Sequence, residues 1–290
     1  MSMAVAAGDR KRSLAPLLVL PAALLVLAVL GMPLLTLFRY SFNRFVPGQA
    51  MAEAFVLDNY ARFFSDSYFI NVLATTVQMA VVCTLLSLIL AFPVAYFLAR
   101  TQSRYKSLLI ILTVFPLLVG NVVRAAGWMA LLGNNGFVNT VLIWLGAISA
   151  PVKILYTPAA VVIGIVAVVL PFMILTLQSV IEGIDRSVEE AALNLGASPF
   201  TVFRRVTFPL SLPGVLAGTV LVGILCMNAY ATPVLLGGSQ FKMMAPALYD
   251  QTIRANNWPF GAALAFVLMV ATVLLTIAST LALKRRTTKD

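Results

Sequence analysis

The sequence has no histidine and few charged residues. None of its 290 residues is His, and only 10% are Asp, Glu, Lys or Arg. Without histidine, a Ser–His catalytic arrangement is excluded, and the commonest metal ligand and general base is missing. Soluble domains carry about 25% charged residues. The composition therefore argues against a hydrolytic enzyme, against a metal site and against a soluble domain.

Cysteine is also scarce, and a nucleotide-binding motif is missing. The two cysteines, Cys83 and Cys226, both lie within apolar runs, where we expect small packing residues rather than a disulfide. No Gly-rich phosphate-binding loop ending in Lys-Ser or Lys-Thr occurs. If ATP drives this protein, the nucleotide site lies on another chain.

Apolar residues make up 61% of the chain and form long, continuous runs. A helix needs about 20 apolar residues to cross a bilayer. The pattern predicts an all-α integral membrane protein, with the first run as an uncleaved anchor. A further apolar piece, 137–148, is too short to cross and predicts an interfacial or re-entrant helix. The six predicted spans are 14–37, 71–99, 107–132, 158–181, 214–236 and 260–283.

The net charge of +10 has a distribution that argues against nucleic acid as a partner. Most of the basic residues flank spans on one side, in the two terminal tails, the 100–106 loop and the 182–213 segment. The positive-inside rule places these parts in the cytoplasm. We expect membrane lipid, rather than nucleic acid, to surround the apolar spans. We expect a cytoplasmic tail at 1–13, a membrane domain at 14–283 and a second cytoplasmic tail at 284–290.

The 182–213 segment, EGIDRSVEEAALNLGASPFTVFRRVTFPLSLP, is a polar interruption between two long apolar runs. Its first half predicts a short helix that starts with a capping box formed by Ser187 and Glu190. Gly196 stands where a left-handed residue would end that helix. A second helix is predicted from a Ser198 cap with Pro199 at the first helical position. We expect Pro209 and Pro213 to end it.

This segment resembles the cytoplasmic loop motif of the membrane subunits of ABC importers. The spacing is met without insertion, and Phe208 replaces the Leu that is common in that family. The matching residues are Glu190, Ala191, Ala192, Gly196, Val206, Phe208 and Pro209. In that family the loop forms coupling helices that dock on the ATP-binding subunit. The resemblance implies a type I importer fold with six transmembrane helices, and it predicts as coupling residues Glu190, Ala191, Ala192, Gly196, Arg204, Arg205 and Pro209.

Three other segments, 55–64, 115–139 and 208–238, resemble the spermidine/putrescine-type permeases. Members of that subfamily import polyamines, ferric iron, opines or aminophosphonates. The resemblance implies a non-enzymatic permease subunit of an ATP-driven, binding-protein-dependent importer for a small polar solute, with a polyamine as the leading candidate. It also implies a multi-pass protein of the bacterial inner membrane.

The resemblance further implies a set of partners. A working complex would contain a second permease subunit, either identical or a sister chain, two ATP-binding subunits and a periplasmic substrate-binding protein. ATP and Mg would bind the partner subunits. No cofactor, metal or catalytic residue is expected on this chain.

Two other classes of protein remain open. A carrier driven by an ion gradient would place ionisable residues at midmembrane, whereas all ten acidic residues lie outside the predicted spans. An intramembrane enzyme would need a nucleophile with its base, or metal ligands. The missing intramembrane carboxylate also weakens the polyamine hypothesis and leaves an anionic or zwitterionic solute open.

Four residues are candidates for the substrate pathway. Arg124 is the one charged side chain within an apolar run, about 24 Å past Leu108 if the helix is continuous. It either reaches the headgroups near the periplasmic end or lines the pathway. Asn121, Asn228 and Tyr230 either line the pathway or make hydrogen bonds between helices.

Overall fold

The computed structural model describes residues 15–49, 51–239 and 241–287, with side-chain surroundings from residue 20 to residue 282. Over these ranges the chain is almost entirely helical, and the only β interaction there is an isolated bridge between Arg44 and Ala52. The all-α prediction is confirmed. The expected tail at 1–13 lies outside the described residues.

The α-helices follow one another along the chain with short connections. In order, they are α1 (Ala15–Tyr40), α2 (Asp58–Ser65), α3 (Ser67–Arg100), α4 (Lys106–Val114), α5 (Asn121–Leu132), α6 (Phe137–Trp144), α7 (Pro158–Glu182), α8 (Arg186–Asn194), α9 (Pro199–Val202), α10 (Phe208–Met227), α11 (Ala231–Gly237), α12 (Met244–Tyr249) and α13 (Trp258–Thr287). A 3₁₀ turn, Phe115–Leu118, follows α4. Two π-helical turns, Phe203–Thr207 and Asp250–Arg254, follow α9 and α12.

Five helical stretches within the described residues are long and apolar enough to cross a membrane, and a bent pair gives a sixth. The predicted number of spans is therefore confirmed, and α6 is the short helix expected near residue 137. Several bounds differ from the prediction. The second span starts earlier, at Ser67, and α13 continues to Thr287, so residues 284–287 are helical.

The third predicted span is not one helix. The stretch Lys106–Leu118 and the stretch that starts at Asn121 are bent by 96° relative to each other. Val119 and Gly120 between them have extended backbone, with ψ of 126° and 145°. Pro116 has no N–H to continue a helix, so the ladder is already interrupted ahead of the bend. The estimate that placed Arg124 about 24 Å along a straight helix is therefore wrong.

The fifth predicted span is also placed differently. The helix starts at Pro199 and runs to Met227 through the π turn Phe203–Thr207, while α11 is a separate short helix. The prediction that Pro209 and Pro213 end a helix is wrong, because both lie within α10. Pro209 lies in the first turn of α10, directly after the π turn. In that π turn, Phe208 N–H donates a hydrogen bond to Phe203 O. A missing N–H is tolerated at such a position.

The core lies where α3, α7 and α10 pack against one another, with α13 against α10. A Cβ on Gly214 would lie 2.9 Å from Val180 Cβ, and one on Gly218 would lie 2.6 Å from Met173 Sδ. Both glycines thus permit α10 to approach α7 closely, as the Gly-x-x-x-Gly spacing predicts. Cys83 and Cys226 are both buried and free.

Candidate functional site

The first helix of the 182–213 segment starts two residues earlier than predicted. Its N-cap is Asp185, whose Oδ1 accepts a hydrogen bond of 2.9 Å from Ser187 N–H. The capping box of Ser187 and Glu190 is therefore wrong, because Ser187 already lies within α8. The hydrogen bond from Ser187 holds the pKa of the Asp185 carboxyl below its usual value. This cap satisfies an N–H that the helix start leaves free.

The turn between α8 and α9 has the predicted geometry. Gly196 has a φ of +84°, in the left-handed region that favours glycine. Its N–H donates to Leu193 O at 2.9 Å, and Ala197 N–H donates to Ala192 O at 3.2 Å, which together form a Schellman motif. Ser198 then caps the next helix by accepting from Thr201 N–H at 3.3 Å. The turn is thus fixed by its own backbone.

Glu189, which the sequence did not single out, fixes this segment to the membrane helices. Its Oε1 lies 2.8 Å from Arg100 Nη2 at the end of α3 and accepts a 2.8 Å hydrogen bond from Thr207 Oγ1. Only 8% of Glu189 is exposed. The sequence offers one signal for an inward-facing acid, which is the Glu189-Glu190 pair. Adjacent residues on a helix face different directions, so both acids cannot point towards the same surroundings.

Further contacts tie the start of the segment to α3 and α4. Arg100 Nη1 donates to Ile184 O at 3.0 Å, and Arg186 donates back to the Arg100 carbonyl oxygen. At the end of α7, Glu182 Oε1 lies 2.7 Å from Lys106 Nζ. Because these bonds join three helices at one end of the bundle, the base of the segment is held in one position.

The tip of the segment projects outwards. Leu195 is 88% exposed and Phe200 is 71% exposed. Ala192 is half-buried, whereas the other predicted coupling residues are exposed: Glu190, Ala191, Gly196, Arg204, Arg205 and Pro209. The coupling role of these residues stays a prediction. The tip therefore presents exposed apolar side chains next to exposed charged ones, on a base that is held by hydrogen bonds. Such a surface is suited to docking into a cleft of another protein.

The four candidate pathway residues line one cavity of about 530 Å³, which we call the central cavity. Asn121 and Arg124 come from α5, and Asn228 and Tyr230 follow the end of α10. Apolar side chains of α7 and α10 form much of the remaining wall. The structure thus brings together four residues that are up to about a hundred positions apart in the sequence, although their role in transport stays a prediction.

Arg124 also bonds to the interrupted backbone of the third span. Its Nη2 donates to Val119 O at 2.7 Å and to Pro116 O. These carbonyls stand at the bend, where the helix does not supply their usual partners. Nε and Nη1 are buried and have no partner among the described residues. Arg124 therefore fixes the bend while it borders the cavity.

The polar neighbours of Asn228 and Tyr230 are local. Asn228 Nδ2 donates to Ile224 O at 2.9 Å within its own helix, so this bond does not join two helices. The ring of Tyr230 lies 5.1 Å from that of Tyr249, centroid to centroid. Asn228 is thus held beside the cavity by the Ile224 carbonyl oxygen, and Tyr230 is held there by the ring of Tyr249.

The family model described as "Binding-protein-dependent transport system inner membrane component" matches residues 84–289 of this chain. The chain belongs to this family. This inner-membrane component is 37% identical, over 244 residues, to the spermidine/putrescine transport system permease protein PotB of Salmonella typhimurium, with 84% of this chain and 82% of that protein covered. It is 29% identical to the inner membrane ABC transporter permease protein YdcU of Escherichia coli, with 79% and 75% covered.

Solved structures share the fold of this inner-membrane component. A chain of a bacterial ABC transporter involved in the import of alginate superposes with a TM-score of 0.77 at 18% identity, with 94% of this chain and 95% of that one covered. A chain of the MetNI methionine ABC transporter gives 0.59 at 15% identity, with 76% and 98% covered. The predicted type I importer fold is thus confirmed.

Proposed function

We propose that this inner-membrane component is the permease subunit of an ATP-driven importer of polyamines of the spermidine or putrescine kind. The observation that carries the proposal is 37% identity to a spermidine/putrescine permease over 84% of the chain. The fold, with five long helices and a broken sixth span, supplies the membrane domain that such a subunit needs. Aminophosphonates, opines and ferric iron are the alternative solutes.

One observation favours a second candidate, an anionic or zwitterionic solute. Arg124 borders the central cavity, and no carboxylate is among the described residues that line it. A cationic substrate would gain from an acidic group. A solute with its own negative charge would instead pair with the guanidinium.

The proposed complex contains a second permease subunit, two ATP-binding subunits that carry ATP and Mg, and a periplasmic substrate-binding protein. Support comes from the family description and from a solved alginate transporter captured with its periplasmic protein. ATP hydrolysis belongs to the ATP-binding subunits. We propose that both termini and the 182–213 segment face the cytoplasm, where the basic residues concentrate.

The 182–213 segment is proposed as the surface that docks on an ATP-binding subunit. The exposed apolar residues Leu195 and Phe200 would enter a cleft, and Glu190 would pair with a basic residue of that subunit. The bonds of Glu189 to Arg100 and Thr207 support a coupling role, because a displacement of the docked tip would be passed to α3 and α10.

The test is transport by the complex reconstituted in vesicles with its ATP-binding subunits and the binding protein encoded with it. We expect ATP-dependent uptake of radiolabelled spermidine or putrescine. A panel of unlabelled aminophosphonate, opine and ferric iron competitors identifies the alternative solutes. ATP-dependent uptake of one of these without polyamine uptake would overturn the substrate, and uptake driven by an ion gradient without ATP would overturn the importer class.

Orientation has its own test. Single cysteines at Gln49, Ser198 and Ser239 are labelled in intact cells with an impermeant thiol reagent, with Cys83 and Cys226 replaced by serine. Gln49→Cys and Ser239→Cys should react from outside, and Ser198→Cys should react only after the cells are opened. Labelling of Ser198→Cys in intact cells would reverse the proposed orientation.

A further inference from the structure

A second, more polar cavity adjoins the central one. It has a volume of about 220 Å³, and its wall includes Tyr230, Lys242, Asp250 and Arg254. Tyr230 lines both cavities, so a solute that leaves one meets the other at this ring. We call this space the Asp250 cavity.

Asp250 is the one carboxylate among the described residues that line the two cavities. The other acids at the same end of the bundle have different surroundings. Asp58 pairs with Arg44 on the surface, Asp66 caps the start of α3, and Glu53 is exposed. A cation in these cavities therefore finds one acidic group, and it is Asp250.

Two cations of the chain already bind this carboxylate. Lys242 Nζ lies 3.2 Å from Oδ2, and Arg254 Nη1 lies 3.2 Å from Oδ1. Arg254 is held locally, four residues after Asp250 on the same π turn, and such turns often occur at functional sites. Lys242 instead belongs to a non-helical stretch just before α12. Of the two cations, Lys242 is the one that carries an ammonium group, on a flexible stem and a backbone outside any helix.

The Lys242–Asp250 pair is exchangeable. Each side chain keeps 29% of its surface exposed, so water competes with the pair and each member contributes little stability by pairing. The Lys242 ammonium is chemically the same group as the end of an aliphatic amine. Beside the pair, the rings of Tyr230 and Tyr249 lie 5.1 Å apart and offer faces that attract an ammonium.

We infer that Asp250 is an ammonium-binding subsite, in which one end of a linear diamine or polyamine replaces Lys242 Nζ on Asp250 Oδ2. The inference rests on the proposed polyamine function and adds the acidic group that the central cavity lacks. Arg254 stays on Oδ1 and keeps the carboxylate oriented. Lys242 occupies the site when no amine is bound and leaves when one arrives.

Binding of radiolabelled spermidine to the purified complex in nanodiscs, without the binding protein, tests this subsite. Asp250→Asn removes the charge at constant size and should weaken binding by about tenfold, the scale of one charge-assisted hydrogen bond. Lys242→Gln removes the competing ammonium and should tighten binding by about threefold, the scale of a half-exposed ion pair. Asp58→Asn, the same change at an exposed ion pair, is the control and should leave binding unchanged.

The opposite signs of the two effects separate a binding site from a structural ion pair. Weaker binding in both variants would overturn the inference, because a merely structural ion pair would give that result. Unchanged affinity in Asp250→Asn, or no saturable binding to a wild-type complex that does transport spermidine, would overturn it as well. A wild-type complex that neither binds nor takes up spermidine would overturn the proposed function itself.

Discussion

The two ends of this membrane bundle hold their charged residues in different ways. At the end with the 182–213 segment, Arg100 and Glu189 keep 13% and 11% of their side chains exposed. At the end with the cavities, Lys242 and Asp250 each keep 29% exposed and face open space. A shielded pair with further hydrogen bonds fixes a position, whereas a half-open pair can change partners. This difference fits the two proposed roles, docking of an ATP-binding subunit at one end and binding of an ammonium group at the other.

The largest expected effect tests the fixed end. Glu189→Ala leaves the Arg100 guanidinium shielded without its acid and removes the acceptor of Thr207, which should lower the free energy of unfolding by about 3–5 kcal/mol. We expect less folded protein in detergent and a lower melting temperature by size-exclusion thermal assay. Arg100→Met with Glu189→Met, which removes both charges, should recover most of the stability. A single variant as stable as wild type would show that the base is not fixed by this pair.

The next effect concerns the bend beside the central cavity. Arg124→Ala removes the donors to Pro116 O and Val119 O and should destabilise the bend by about 1–3 kcal/mol. If Arg124 also lines the pathway, uptake falls while the complex still assembles and binds its ATP-binding subunits. Arg124→Lys is the matched variant. It keeps the positive charge but has no guanidinium nitrogen to donate to both Pro116 O and Val119 O. Unchanged uptake in Arg124→Ala would remove Arg124 from the pathway.

A smaller effect tests the turn at the tip. Gly196→Val places a β-branched residue at a φ of +84° and should cost about 1–2 kcal/mol. Nothing lies within 4 Å of the added Cβ, so the cost comes from the backbone alone. Gly196→Asn, which tolerates this conformation better, should behave almost as wild type. We expect Gly196→Val to lose uptake or binding-protein-stimulated ATP hydrolysis in vesicles, and wild-type values of both would contradict a coupling role for this turn.

The smallest effect comes from the neighbour of Glu189. Glu190 is exposed, so Glu190→Ala should leave the melting temperature of the isolated subunit unchanged. In the complex, a partly exposed ion pair contributes only about 0–1 kcal/mol, so attachment of the ATP-binding subunit should weaken several-fold at most. Co-purification at increasing salt measures it. Equal destabilisation by Glu189→Ala and Glu190→Ala would erase the distinction between base and tip.

The sequence alone predicted the parts of this protein that depend on local rules. Apolar run length gave the number of spans, and the position of Gly196 gave the turn, because a left-handed residue after a helix strongly favours glycine. The Gly-x-x-x-Gly spacing of Gly214 and Gly218 is a local pattern that predicts a close approach by another helix, and the structure identifies that helix as α7. In each case the deciding interaction lies within a few residues of the chain or requires only a small side chain.

The wrong predictions depend on contacts that the sequence does not display. Pro209 suggested a helix end, but a proline in the first turn of a helix needs no N–H, and the π turn ahead of Pro209 accommodates it. Pro213 lies inside α10, where its missing N–H leaves one bond of the helix unmade. The span around Val119 looked continuous because hydropathy does not register a bend. Glu189 was overlooked because its partner, Arg100, is distant in the sequence. The pairing of Lys242 with Asp250 was overlooked because nothing in the local pattern marks it.

The continuous helical stretch from Pro199 to Met227, with its π turn, has a mechanical consequence. Its 29 residues measure about 43 Å at 1.5 Å per residue. One end follows directly from the exposed tip at Ser198, and the other is followed at once by Asn228 on the wall of the central cavity. Under the proposed coupling role, a movement of the docked tip would reach the cavity wall along this one stretch, and the π turn and Pro213 are the points at which it would bend.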